Sequence, residues 1–174
     1  MKPFEGIRVL DLSAVISGPM AASILADQGA DVIKVESPGG DLSRRIGPAK
    51  GDMSALFISI NRGKRSILLD LKQADARAVL RDLIIKADVL IENFRPGAMQ
   101  RLGFGADEVA AINPRLIYAA ASGYGRSGPD RDKLAMDLTV QAASGIMHTT
   151  GFPDGPPVKS GPAVVDFLGG THLY

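Results

Sequence analysis

The sequence predicts an α/β fold, a Rossmann-like open parallel sheet flanked by helices, and three observations lead there. Short apolar runs alternate with segments of helical periodicity, the pattern that builds parallel strands joined by right-handed crossovers. Glycine and proline punctuate the joints between those segments. With 174 residues, 45% hydrophobic and 22% charged, the chain has room for one packed domain and is too apolar to be disordered.

Taken in order, Ile7 to Leu12 (IRVLDL) reads as a buried strand. Ser17-Gly18-Pro19 then opens a helix running to about Gln28, with Ser17 or Gly18 as cap and the proline in a first turn that needs no N–H from it. Gly29 closes that helix, and Asp31 to Glu36 is the second strand. Ser37 to Asn61 is expected to be a long loop with a short helix, and Arg65 to Leu71 another extended piece. Val79, Leu80, Leu83 and Ile84 recur at helical spacing within Asp75 to Lys86, followed by a strand from Asp88 to Asn93. A short helix around Asp107 to Ile112 precedes a strand from Leu116 to Ala121. A helix from Met136 to Thr149, a Gly/Pro-rich loop and a strand over Ala163 to Val165 complete the expectation. The end, from Gly169 to Tyr174, reads as a helix cut off within its first turns.

Composition excludes several classes of function. Twenty basic and 19 acidic side chains leave a formal net charge of +1, which gives no electrostatic case for nucleic acid or an anionic membrane as partner. The absence of cysteine removes disulfides, thiolate metal sites and a cysteine nucleophile. His148 and His172 stand too isolated for metal-ligand spacing, so no metal is expected. No stretch approaches the roughly 18 apolar residues needed to span a bilayer, and no signal-peptide h-region follows Met1, so a cytoplasmic location is expected.

In open α/β sheets ligands bind beyond the carboxyl ends of the strands. Three loops there carry candidate chemistry. Ala14 to Pro19 offers small residues and a helix N-terminus, but lacks the G-x-G-x-x-G dinucleotide fingerprint. Asn93-Phe94-Arg95-Pro96-Gly97 reads either as a purine-and-phosphate platform or as a plain turn. Asn61-Arg62-Gly63-Lys64-Arg65 is either a solvated basic face or a phosphate contact. The carboxylate of Asp166, straight after Val164-Val165, is placed where α/β enzymes put nucleophiles and equally where helices find an N-cap. His172 lies close enough in sequence to orient that site, or serves structure alone.

Together the stretches GIRVLDLS, ISGPMAASILADQGADVIKVE, NRGKRSILLDLK, ADVLIENFRPGAMQRLGF, NPRLIYAAASGYG and DLTVQAASGIMHTTGFPDGPPVKSGPAVVDFLGGTHL resemble the class III CoA-transferases of the CaiB/BaiF type. The resemblance implies an acyl-CoA enzyme acting on an acyl-CoA donor and a carboxylic acid acceptor, with coenzyme A as the carried group. It implies that Asp166 attacks the acyl thioester to give a mixed anhydride and then an aspartyl-CoA thioester, with Asp137 as an acidic neighbour. It further implies CoA contacts from Val15, Ser17, Lys64, Arg65, Asn93, Phe94 and Arg101.

Three positions depart from the pattern. Ile16 replaces the glutamine of formyl-CoA transferases, and Lys133 is one place away from the active-site lysine. Met136 stands where the family's α-methylacyl-CoA racemases use a histidine, which favours transfer over racemisation because a thioether shuttles no proton. The family's chains are about twice this long, so residues 1–174 are expected to be the N-terminal Rossmann-like domain, without the small second domain and C-terminal segment. The full-length parent is expected to be a homodimer. A truncated chain that only binds CoA, or is inert, is the remaining alternative.

Overall fold

In a computed structural model describing residues 1–51 and 53–174, five strands form one parallel sheet. In chain order the elements are β1 (Arg8–Asp11), α1 (Ser17–Asp27), β2 (Asp31–Glu36), a 3-10 turn (Leu42–Arg45), and the short antiparallel pair β3 (Ala49–Lys50) and β4 (Met53–Ser54). Next come α2 (Ala55–Asn61), β5 (Arg65–Leu68), α3 (Ala74–Lys86), β6 (Val89–Glu92), α4 (Ala98–Leu102), α5 (Ala106–Ile112) and β7 (Ile117–Ala120). The chain ends in α6 (Asp137–Ala143), a 3-10 turn (Ile146–Thr149) and α7 (Val164–Leu173). The α/β class and the parallel sheet agree with the expectation.

Strand order is β5-β2-β1-β6-β7, so the chain winds outward one way from β1 and then returns to build the other side. That reversal lies between β1 and β6, the point beyond whose carboxyl ends open α/β sheets form a ligand crevice. The two-residue period of the strands sends Leu10 and Leu90 to one face, against Leu80, Ile84 and Val109 from α3 and α5. Val9, Val32 and Ile91 face the other way, against Ala22 of α1. Both faces are thereby covered, which explains why these strands read as apolar runs.

Four local expectations are corrected. Ala163 to Val165 is no strand: α7 begins at Val164, and its β-branched start does not join the sheet. The signal for this is tertiary, because the Asp137 carboxylate accepts the Val165 N–H at 2.9 Å and the Asp166 N–H at 3.3 Å, capping the helix from another element. Ser17 does not cap α1 but is its first residue; Ile16 precedes it without a side-chain cap. The helix expected from Met136 to Thr149 stops at Ala143, because Gly145 adopts φ +83° before the 3-10 turn. The unforeseen α4 lies between two glycines at φ +81°, Gly97 and Gly103.

α7 lies across α1, and glycine sets how closely. A Cβ on Gly170 would fall 2.7 Å from the Ser17 carbonyl oxygen and 3.1 Å from Met20 Cβ. One on Gly169 would make an ordinary 3.5 Å contact with Ser17 Oγ. Gly→Ala inside a helix normally stabilises by up to about 1 kcal/mol. Gly169→Ala is therefore expected to hold or raise the urea midpoint, and Gly170→Ala to lower it by forcing α7 off α1. A Gly170→Ala chain as stable as the parent would refute this packing.

Candidate active site

The site begins with a buried cluster of two lysines and two aspartates at the carboxyl ends of β1 and β2. Asp11 and Lys34 are register partners on adjacent strands, with side chains 0% and 1% exposed. Lys34 Nζ donates to the Ser13 carbonyl at 2.9 Å and lies 2.8 Å from Asp41 Oδ2. Lys64 Nζ spends its three hydrogens on Asp11 Oδ2 (2.8 Å), the Pro19 carbonyl (2.7 Å) and Asn61 Oδ1 (2.8 Å). Burial pulls the Lys64 ammonium down to about 8, against the opposing pull of Asp11, while Lys34 adds to the drop. Burial pushes the Asp41 carboxyl up, but the Lys34 charge and several hydrogen bonds outweigh it and hold it below the usual carboxylate range.

This cluster fixes the loop after β1. Asp11 Oδ1 accepts the Ser13 N–H at 3.0 Å as well as its hydroxyl, and Asp41 Oδ1 accepts the Val15 N–H at 3.1 Å. Asn93, from the loop after β6, holds Ala14 at both ends: Oδ1 accepts its N–H and Nδ2 donates to its carbonyl, each at 2.8 Å. The two lips of the crevice are thus tied together. Val15 is held at φ +70°, a conformation that costs a β-branched residue on the order of 1–3 kcal/mol and persists only where its surroundings impose it. Gly18 follows because a Cβ there would sit 2.2 Å from Ser13 Cβ.

Asp166, in the first turn of α7, closes the site. Ser17 Oγ donates to its Oδ1 at 3.2 Å, and its backbone is anchored by Asp137. Burial raises its pKa and the nearby Asp137 charge adds to the rise, while the Ser17 hydrogen bond opposes it. Asp137 is itself steadied by Gln141, whose Nε2 donates to Oδ2 at 2.6 Å. Gln141 is fully buried, and its Oε1 accepts the Ser160 N–H at 2.9 Å. Sequence reasoning missed Gln141; its one signal was position i+4 from Asp137 on a helix.

A run of cavities leads away from Asp166 along the sheet edge. The Asp166 cavity holds about 230 Å3 and is lined by Ser17, Asn93, Ser122, Met136 and Asp137. It shares Asn93, Ser122 and Met136 with a neighbouring cavity that reaches Phe94 and Arg95. Phe94 also borders an apolar cavity of about 270 Å3 lined by Leu12, Val35, Leu42, Leu69 and Leu71. That apolar pocket was not foreseen; Leu69 and Leu71 lie just past the end of β5, where sequence gave only an extended segment.

The sequence-derived candidates therefore separate into groups. Asp166, Asp137, Ser17 and Asn93 converge on one cavity, with Val15 in the loop above it and Phe94 along the groove. Lys64 is internally committed and holds the fold. Arg65 is exposed and forms a forked pair with Asp31, Nη2 at 2.8 and 2.7 Å from its two oxygens. Arg101, in α4, is exposed and curls back over Gly97. His172 is exposed on α7 and has no hydrogen bond to Asp166, and His148 is exposed in the 3-10 turn.

Two stability effects follow from the charges. Lys34→Met would leave Asp11 and Asp41 buried against a single ammonium, and is expected to cost about 3–5 kcal/mol in urea unfolding. Glu36 takes hydrogen bonds from Arg44 Nε (2.8 Å) and Nη2 (2.7 Å), Ser66 Oγ (2.6 Å) and the Asp41 N–H (2.9 Å). Burial pushes its carboxyl up, but these partners prevail and bring it from 4.5 to about 2. The unfolded chain then binds the proton first, so stability present above pH 4.5 drains away between 4.5 and about 2. In Glu36→Gln that acid slope should flatten without vanishing, because Asp41 contributes in the same direction.

Comparison with known proteins gives a consistent picture. A family model described as CoA-transferase family III matches residues 4–174. The chain is 52% identical over 174 residues to the acetyl-CoA:oxalate CoA-transferase of Acetobacter aceti, covering 99% of this chain and 45% of that protein. It is 45% identical to the succinate–glutarate CoA-transferase of Agrobacterium fabrum, covering 98% and 44%. The crystal structure of a CaiB/BaiF family protein from Brucella suis superposes with a TM-score of 0.95 at 40% identity, covering 99% of this chain and 47% of that one. The chain thus spans a little under half the length of the relatives it matches.

Proposed function

The chain belongs to CoA-transferase family III, and from that premise we propose that it carries the nucleophile of an acyl-CoA:carboxylate CoA-transferase, Asp166. The observation that carries this reading is a carboxylate held by one oxygen and turned to a cavity. Ser17 secures Oδ1, while Oδ2 has no hydrogen bond among the described residues. The relatives named above are CoA-transferases acting on acetyl-CoA and oxalate or on succinate and glutarate.

The proposed course is short. Asp166 Oδ2 attacks the thioester carbonyl carbon, the C–S bond breaks, and CoA leaves as a thiolate from a mixed anhydride. The thiolate then attacks the aspartyl carbonyl, releasing the donor acid and leaving an aspartyl-CoA thioester. An acceptor carboxylate reverses both steps and departs as its own CoA thioester. Each linkage is an activated acyl group, so no step demands a large energy input. Partial desolvation of Asp166 sharpens its nucleophilicity and raises its pKa, and the Ser17 hydroxyl opposes that rise by favouring the charged form.

The run of cavities from Asp166 supports a path for a CoA arm. With the thioester at Asp166, the pantetheine would run past Asn93 and Phe94, and the nucleotide end would reach the apolar pocket between Leu42 and Leu71. Val15 and Arg101 remain candidates beside that path, whereas Lys64 acts at one remove by holding Asp11. Arg65 would contact CoA only after leaving Asp31. Racemisation is not favoured: Met136 lines the Asp166 cavity and offers no second proton shuttle.

Incubation with succinyl-CoA and hydroxylamine, followed by peptide mass spectrometry, should give a hydroxamate at Asp166 that is absent in Asp166→Ala. Labelling should fall as acid protonates the carboxyl, with a midpoint above the ordinary aspartate value of 3.8. Ser17→Ala removes a hydrogen bond that favours the charged form, so its midpoint should move higher still. An unlabelled Asp166, or a midpoint that Ser17→Ala moves downward, would defeat the assignment.

A further inference from the structure

The helix beside the Asp166 cavity is buried the wrong way round. A short amphipathic helix normally turns its apolar residues inward. In α6 the one buried residue is Gln141, while Leu138 is 51% exposed. A buried amide is costly unless both of its polar ends are matched. Here they are: Nε2 donates to Asp137 Oδ2 at 2.6 Å, and Oε1 accepts the Ser160 N–H at 2.9 Å. The two partners have opposite polarity, so they require a donor at one end of the side chain and an acceptor at the other. Glutamine supplies that pair; a methionine of similar length supplies no donor, and an ionised glutamate would set a second anion against Asp137.

Both partners of Gln141 lead to Asp166. Ser160 belongs to the stretch that enters α7, and its hydroxyl donates to the Pro162 carbonyl at 2.8 Å. Asp137 spends its other oxygen on the Val165 and Asp166 N–H groups, at 2.9 and 3.3 Å. With Oδ2 pinned by Gln141, the carboxylate cannot rotate without breaking a hydrogen bond, and Oδ1 stays on the first turn of α7. The only other hold on Asp166 through a side chain is the Ser17 hydroxyl, which touches the carboxylate and not the backbone. Nucleophilic attack demands a reacting distance of about 3–3.5 Å, and a displacement of about 1 Å costs on the order of a hundredfold in rate.

We propose that Gln141 is a positioning residue for the reaction at Asp166: by holding Asp137 Oδ2 and the Ser160 N–H together, it sets where α7 begins and where the nucleophile stands. It does so without touching substrate, since Asp137 and not Gln141 lines the Asp166 cavity. The inference rests on the reading of Asp166 as nucleophile. It adds to that reading a residue whose loss lowers the rate of acyl transfer in folded molecules and leaves the affinity for CoA alone.

Two variants of similar size test this, Gln141→Met and Gln141→Glu. A protonated glutamic acid has one O–H donor and one carbonyl acceptor and so imitates the amide, whereas its ionised form does not. Asp137 beside it favours the protonated form by like-charge repulsion. Hydroxamate labelling of Asp166 at saturating succinyl-CoA, corrected for the folded fraction by circular dichroism, should fall about tenfold or more in Gln141→Met at every pH. In Gln141→Glu the rate relative to the parent should be low at alkaline pH and climb as the pH falls, while isothermal titration gives an unchanged affinity for CoA in both variants. A stabilising residue with no positioning role would alter the folded fraction and leave the corrected rate unmoved. Corrected rates equal to the parent's, or a loss of CoA affinity as large as the loss of rate, would overturn the role of Gln141 and leave Asp166 as nucleophile. A parent chain unlabelled at Asp166 would overturn the reading beneath it.

Discussion

The arrangement depends on a neutral cluster of charges buried where the sheet ends. Two ammonium groups and two carboxylates, Lys34, Lys64, Asp11 and Asp41, sit where water cannot reach them. Such groups are tolerable only if every charge is matched and nearly every donor used. Replacing them all with apolar side chains of similar volume could give an equally stable core. What the charges supply is direction. Their remaining hydrogen-bonding capacity is spent on the backbone of residues 13 to 19, which a hydrocarbon core would leave free to choose its own path.

That constraint reaches the proposed nucleophile in two steps. The cluster holds Val15 in a left-handed conformation it would not adopt alone, and this turns the chain into α1 with Ser17 at its first position. Ser17 then meets Asp166, which α7 brings in across Gly169 and Gly170. From the other side, Gln141 and Asp137 fix the first turn of α7 by its N–H groups. Asp166 is therefore held between two independent supports, one rooted in the sheet and one in α6. Neither support lies near it in sequence.

Legibility followed the range of the forces involved. Strands β1, β2 and β6 were readable because burial on both faces writes itself into consecutive residues, and α1 and α3 because their periodicity is local. The start of α7 was misread for the opposite reason. Val164 and Val165 carry strand propensity, but a carboxylate 28 positions away in sequence caps them into a helix. The family pattern picked out Asp166, Ser17, Asn93 and Phe94, which lie along one crevice, and also Lys64, which lies inside the fold. A lysine in a basic run looks like a phosphate ligand, and nothing local reveals that all three of its hydrogens are taken inside the fold. Gln141 was invisible as a single residue, since what distinguishes it is a burial and a pairing that only the assembled structure has.

The environment of Asp166 sets opposing demands that its neighbours divide between them. A carboxylate attacks best when poorly solvated, yet poor solvation also favours the protonated acid, which does not attack at all. Asp137 cannot relieve this by donating a proton, because both its oxygens are occupied as acceptors and its charge makes matters worse. Ser17 offers the counterweight in neutral form: a hydroxyl stabilises the anion without quenching its reactivity, as a lysine or arginine at that distance would. Placing the cations one shell back, on Asp11 and Asp41, is consistent with that division. They fix the geometry of the loop that presents Ser17 while leaving the Asp166 carboxyl without a cationic partner among the described residues.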